Sequence, residues 1–246
     1  MKIVGLTGGI ACGKSAVSTL LRDTHSLPLV DADLIAKEAL DDGAPAYHKV
    51  VAAFGQGILE PAAAAAADGD RPVDLSGAAA GRPIDRKKLG EIVFNDVALR
   101  RKLNGIVSGY IARGMGWEVL KHFALGTPVI VLDVPLLYET GANRACSEVV
   151  VVSVTPATQL ARLTKRDTST EQEASARINS QMPLADKVER ADIVVDNDGS
   201  EEALAQRVAS LAPRLVRRTS PLQWLCSGPV LFVALQLVCV APWFIR

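Results

Sequence analysis

The chain reads as an α/β fold, a parallel five-stranded sheet flanked by helices. Three observations predict it. Short apolar runs of strand length recur at residues 2–7, 29–33, 128–133, 148–154 and 193–196, and stretches with helical spacing lie between them. The runs at 128–133 and 148–154 are apolar at consecutive positions, which suits strands buried on both faces, as in a parallel sheet. The octapeptide G-G-I-A-C-G-K-S at 8–15 falls between the first strand and the first helix and matches the phosphate-cradling pattern G-x-x-x-x-G-K-[ST]. Such alternation gives parallel strands joined by right-handed crossovers.

The elements follow in order. Strand 2–7 hands over to the loop, and residues 15–21 continue as a helix through Arg22. The second strand, 29–33, ends in two acids, Asp31 and Asp33. Residues 34–54 alternate apolar and charged positions at helical spacing. Between Pro61 and Arg82 the composition collapses into Ala, Gly and Asp, with six consecutive alanines. Gly69, Pro72, Gly77 and Gly81 interrupt any helix there, so residues 62–82 read as a surface insertion. Helical periodicity resumes at Asp85 and runs to Leu125. After the 148–154 strand, Thr155-Pro156 opens a helix to about Arg166, with the proline suited to the first turn. Residues 168–182 are polar and charged, and the turn Asn197-Asp198-Gly199 leads to a last helix capped by Ser200.

With 246 residues the chain can hold one good-sized α/β domain with inserted subdomains. Its 27 basic and 27 acidic residues cancel, and no basic residues interleave with the few aromatics, so no nucleic-acid partner is expected. Cys12, Cys146, Cys226 and Cys239 lack paired or metal-ligand spacing and read as free thiols. Lys2 leads straight into a strand, so no signal peptide is expected. No charged residue occurs from Thr219 to Ile245, Arg214, Arg217 and Arg218 precede this stretch, and Trp224 and Trp243 lie near its ends. That pattern predicts a C-terminal membrane segment at 219–246, although Pro229 and Pro242 shorten the unbroken helix. A monomer is expected, with its main domain (1–218) in the cytosol and membrane-associated through this tail.

The loop at Gly8, Gly9, Ile10, Ala11, Cys12, Gly13, Lys14 and Ser15 predicts a bound nucleoside triphosphate. Its backbone N–H groups form an anion site, Lys14 reaches the β- and γ-phosphates, and the Ser15 hydroxyl sits on Mg²⁺. In open parallel sheets ligands bind beyond the carboxyl ends of the strands, where Asp31, Asp33 and Asp133 fall. Asp133 can complete the Mg²⁺ shell, and either Asp31 or Asp33 can take a proton from an acceptor hydroxyl.

The ordered set of motifs is more specific than the loop. Gly5-Leu6-Thr7-Gly8-Gly9-Ile10 is followed by Asp31-Ala32-Asp33, Asp85-Arg86 and Asp133-Val134-Pro135-Leu136-Leu137-Tyr138-Glu139. Then come Arg177-Ile178 with Gln181-Met182-Pro183, and Ala191-Asp192 with Asp196-Asn197. Over roughly residues 1–211 this closely resembles the dephospho-coenzyme A kinase family, which have a P-loop kinase fold. The resemblance implies transfer of the ATP γ-phosphoryl group to the ribose 3′-hydroxyl of dephospho-coenzyme A. By the same resemblance, Asp33 is the base and residues 34–127 form an inserted acceptor-binding subdomain. Residues 167–183 form a lid, Arg162 contacts ATP, and Arg166 joins Lys14 in stabilising the transferred phosphoryl group, with Arg177 and Gln181 in the same lid. The family carries a His-Pro pair where this chain has Ser108-Gly109.

Two rivals stand beside this reading. Thr164-Lys165-Arg166-Asp167 fits the guanine-reading pattern of GTP-binding switches. It lies within a helix rather than after a strand, and the Asp133 strand lacks the glycine of D-x-x-G. The other rival is a nucleoside or nucleotide kinase of the same fold.

Overall fold

A computed structural model describes residues 1–61, 82–94 and 96–216. The sheet contains β1 (Lys2–Gly8), β2 (Leu29–Asp31), β3 (Val129–Asp133), β4 (Glu148–Ser153) and β5 (Ile193–Asp196) in the order β2-β3-β1-β4-β5, every pair parallel. All positions of β1 and β3 are buried, the polar Lys2, Thr7 and Asp133 among their apolar neighbours, as befits central strands of a parallel sheet. The chain leaves β1 toward one side of the sheet and later fills the other. A switch point therefore lies at the carboxyl end of β1, where such sheets bind ligands. The register aligns Leu6 with Asp133, Gly8 with Val152, and Asp31 with Asp133. α1 (Lys14–Thr19) follows the loop and then widens, His25 N–H reaching back five residues to Leu20 O at 3.3 Å.

Two compact units emerge, one of Met1–Asp31 with the chain from Glu118 on, the other Ala32–Trp117. The second is helical, with α2 (Ala32–Glu38), α3 (Pro45–Phe54), α4 (Arg86–Phe94) and most of α5 (Val97–Ala124). Tyr47, Val50, Ile58, Leu89 and Val107 form its core. Gly114 on α5 lets α2 approach, since a β-carbon there would stand 2.6 Å from Ile35 Cγ2. Leu59 and Ile84, on either side of the Ala/Gly segment in sequence, pair as an antiparallel bridge. The expected insertion lies, but for Arg82, outside the described residues.

In the first unit Thr155 caps α6 (Pro156–Asp167), accepting Thr158 N–H, and a reciprocal Thr170/Glu173 box opens α7 (Glu171–Asn179). α8 (Leu184–Glu189) follows. Ser200 Oγ accepts Ala203 N–H at 3.3 Å ahead of α9 (Glu201–Val216). Leu204, Val208, Leu211 and Leu215 recur at helical spacing on α9 and pack into the core with Val4, Val17 and Val150.

Three expectations are corrected. Residues 29–33 are not one strand: β2 stops at Asp31, and Asp33 lies in the first turn of α2, where an acid faces the positive helix end. Residues 34–54 form two helices, broken at Gly43 (φ 77) and restarted by Pro45 in the first turn. The membrane reading also falls. Among the described residues no helix is long and apolar enough to cross a membrane. The longest, α5, carries Arg100, Arg101, Lys102, Arg113, Glu118 and Lys121. The tail at 219–246 lies outside the described residues, and the expected transmembrane helix, membrane association and membrane-anchored localisation are withdrawn.

Candidate active site

β1 ends at Gly8, and residues 9–13 reverse the chain before α1 starts. Gly13 holds φ 82 as the helix cap, and a β-carbon there would run into the Asn197 side-chain amide. Ala11 also has a positive φ, 60, which costs an L-residue about 1–2 kcal/mol. Cys12 closes the turn, its N–H donating to Gly9 O at 3.2 Å. Its thiol packs inward with Val17 and Leu21, and burial pushes it above the ordinary thiol range. Cys12 is thus a small core residue under the loop, and only its backbone belongs to the site.

Lys14 Nζ is ion-paired with Asp133 Oδ1, at the end of β3. The Ser18 hydroxyl, one turn further along the helix, lies 2.5 Å from Asp133 Oδ2 and 3.1 Å from Lys14 O. Burial raises the Asp133 carboxyl above the usual carboxylate range even though Lys14 and Ser18 pull the other way, and Asp31 adds to the rise. The floor of the loop therefore holds an acid whose charge is only partly compensated.

Side chains from other elements reach the loop's far side. Lys187 on α8, fully buried, ion-pairs with Glu139 at 2.8 Å and reaches Gly8 O and Pro135 O, each at 3.4 Å. Gln159 on α6 donates from Nε2 to Ile10 O at 2.9 Å. Asn197, just past β5, donates from Nδ2 to Cys12 O at 2.9 Å, and its own carbonyl accepts from Arg162 Nη2 at 2.9 Å. Gln181 Oε1 accepts Ile10 N–H at 3.2 Å, and Glu139 Oε1 accepts Met182 N–H at 3.1 Å. Burial alone would raise the Glu139 carboxyl, but the hydrogen bonds from Lys187 and Met182 outweigh it and hold the group below its ordinary value.

Of the residues expected from sequence, 8–15, Asp133 and Arg162 come together in the first unit, with Ser15 exposed in the first turn of α1. Arg166, one turn beyond Arg162, instead bonds its neighbour Asp167 through Nε at 2.8 Å and Nη2 at 3.2 Å. Asp167 also accepts from Arg177 Nη1 at 2.5 Å. Asp33 belongs to the second unit and is exposed. Gln159 and Lys187 were not expected at the site. A lysine is buried only when paired, and its partner Glu139 is remote in sequence. Asn197, Gln181 and Glu139 stood in recognisable motifs, yet nothing in those motifs said that they face the loop.

A family model described as dephospho-CoA kinase matches residues 2–66 and 78–203, breaking within the Ala/Gly segment. The chain is 41% identical to a dephospho-CoA kinase of Arabidopsis thaliana over 92% of this chain and 87% of that protein. It is 43% identical to one of Bacillus cereus over 80% of this chain and 89% of that protein. Among solved structures it is similar to TT1252 from Thermus thermophilus (TM-score 0.62, 26% identity, 87% of this chain and 97% of that one). It is also similar to dephospho-CoA kinase from Campylobacter jejuni (TM-score 0.61, 25% identity, 88% of this chain and 98% of that one). The fold is that of a P-loop kinase, and the chain belongs to the dephospho-CoA kinase family of enzymes.

Proposed function

We propose that this chain moves the γ-phosphoryl group of ATP to the ribose 3′-hydroxyl of dephospho-coenzyme A, giving coenzyme A and ADP, with its residues divided as follows. The loop at 8–15 holds the ATP phosphates, and Lys14 leaves Asp133 to reach the β- and γ-phosphates. The observation that carries this is the Lys14–Asp133–Ser18 cluster at the carboxyl edge of the sheet. Its lysine can change partners, because the Lys14 side chain is partly exposed and the acid left behind keeps the Ser18 hydroxyl. Asp33 takes the proton of the acceptor hydroxyl, and the helical unit Ala32–Trp117 binds the acceptor. Residues 167–183 act as a lid, with Arg162 on ATP. Arg166 is released from Asp167 to stabilise the dispersed phosphoryl charge.

Mg²⁺ suits the same corner. Among the described residues no group of three or more His, Cys, Asp or Glu could hold a metal ion. Mg²⁺ usually takes one or two carboxylates together with substrate phosphates, so Asp133 and Ser15 would suffice. The undercompensated charge of Asp133 fits a cation. Bound there, Mg²⁺ would neutralise charge on the transferring phosphoryl oxygens.

The test is coupled ADP release with dephospho-coenzyme A, uridine, cytidine, nucleoside monophosphates or no acceptor. Turnover with dephospho-coenzyme A alone is expected, and turnover only with a nucleoside would sink the reading. Asp33→Asn should lower kcat by about 10²–10⁴-fold and leave ATP affinity nearly intact. Lost ATP binding would instead make Asp33 part of the donor site.

A further inference from the structure

Every second carbonyl of the loop meets a side chain from outside it. Gly8 O faces Lys187 Nζ at 3.4 Å, Ile10 O faces Gln159 Nε2 at 2.9 Å, and Cys12 O faces Asn197 Nδ2 at 2.9 Å. The N–H groups of Ile10 and Cys12 are engaged within the protein, on Gln181 Oε1 and Gly9 O. In a trans peptide unit the C=O and N–H are coplanar and point opposite ways, and no described peptide bond is cis. Fixing the carbonyls of residues 8, 10 and 12 therefore aims the N–H groups of Gly9, Ala11 and Gly13 at the other side of the loop.

The three holding groups are buried: Lys187 is 0%, Gln159 5% and Asn197 7% exposed. They come from α8, α6 and the turn after β5, so the octapeptide's own preferences do not supply them. Ala11 and Gly13 sit at φ 60 and 82, backbone states that persist where the surroundings over-determine them. A flipped peptide unit here would present a carbonyl oxygen, not an N–H, to an anion. The ammonium of Lys187 has three protons, and three acceptors surround it: Glu139, Gly8 O and Pro135 O. Glu139 also accepts Met182 N–H, next to Gln181, so the Lys187–Glu139 pair ties the loop to the chain after α7.

We propose that Gln159, Asn197 and Lys187 are positioning residues for the phosphoryl donor. They hold alternate carbonyls so that the intervening N–H groups meet the ATP phosphates already aimed. The inference rests on the donor-site reading above and adds the device that orients it. Such preorganisation strengthens donor binding and is indifferent to the acceptor.

The test uses the full chain with Gln159→Met and Asn197→Ala, singly and together. Each single change should weaken ADP binding and raise the ATP KM about tenfold, as one lost hydrogen bond does, with the dephospho-coenzyme A KM within about twofold. The double variant should lose more than either single one, reaching about a hundredfold when the two peptide units act independently. A lower melting temperature with unchanged ADP affinity, or an equal rise in both KM values, would overturn the proposal. Should Gln159→Met fail to fold, Asn197→Ala carries the test alone, since it removes an amide and adds no bulk. Lys14→Met separates the two readings. If its kcat is unchanged, the donor-site reading fails. If its kcat collapses while the amide variants bind ADP normally, only the positioning proposal fails.

Discussion

Two lysine–carboxylate pairs flank the loop, and they are built in opposite ways. In front, the Lys14 side chain is 16% exposed and its partner Asp133 4%; behind, Lys187 is 0% exposed and its partner Glu139 22%. The front acid is pushed up by burial, whereas the rear acid is held down by its hydrogen bonds. The difference follows from how fully each charge is satisfied. Lys187 reaches three protein acceptors and Glu139 gains a backbone N–H, so the rear pair can stay as it is. The front pair leaves its acid undercompensated and its lysine within reach of solvent, an arrangement that yields easily to a new anionic partner. One pair is suited to exchange and the other to permanence.

Breaking the front pair should give the largest effect, and on catalysis. Lys14→Met should lower kcat by about 10³-fold, the loss expected when a cation stabilising transferred charge is removed. Its melting temperature should stay close to the parent's, because the Lys14 side chain is partly exposed and Asp133 keeps the Ser18 hydroxyl as a partner. A large stability loss would make the front pair a structural strut and erase the contrast.

The rear pair should fail the other way. Lys187→Met removes a fully buried ammonium from Glu139, Gly8 O and Pro135 O, and losing one partner of a buried pair costs about 3 kcal/mol or more. Replacing both, as Lys187→Met with Glu139→Leu, should recover most of the melting temperature, since buried pairs exchange for apolar residues at little loss. The ATP KM should remain raised in that double variant, because Gly8 O has still lost its donor. Recovery of both would reduce Lys187 to a packing role.

A smaller effect is expected further out. Arg166 is 56% exposed and bound to Asp167, so its removal disturbs no buried charge. Arg166→Ala should lower kcat about tenfold through lost electrostatic stabilisation, without moving the melting temperature. An unchanged kcat would leave Arg166 as a partner of Asp167 alone.

How much of this could be read from sequence differs between the two sides. The strands, the loop and the strand-end Asp133 were legible because each is written locally, as an apolar run, a glycine pattern or an acid at a run's end. Asp33 reads as part of a strand because Leu29-Val30-Asp31 gives no signal of where it stops, and only the helix start at Ala32 decides. The rear side was nearly illegible. Lys187 lies in a six-residue helix, and it meets Glu139 and Gly8 through contacts 48 and 179 residues apart in sequence. The motif leaves the Cys12 position open, and only its burial beside Val17 and Leu21 gives the residue a packing role.

The subtlest distinction between the pairs is in their response to pH. Glu139 has a folded value below its ordinary 4.5, so its ionised form adds stability that is complete above 4.5 and is lost as pH falls through the folded value. Asp133 is shifted upward, and its contribution runs the other way, present at low pH and lost as pH rises. Glu139→Gln cannot ionise but retains Asp133, so comparing it with the parent cancels the front pair and isolates the rear one. The gap in melting temperature should be widest near neutrality and should close from about pH 4.5 downward as the parent's Glu139 becomes protonated. A gap that stayed constant to about pH 3 would mean that ionised Glu139 adds no stability and that Lys187 is held by its carbonyl contacts, so the permanence of the rear pair would rest on hydrogen bonding alone.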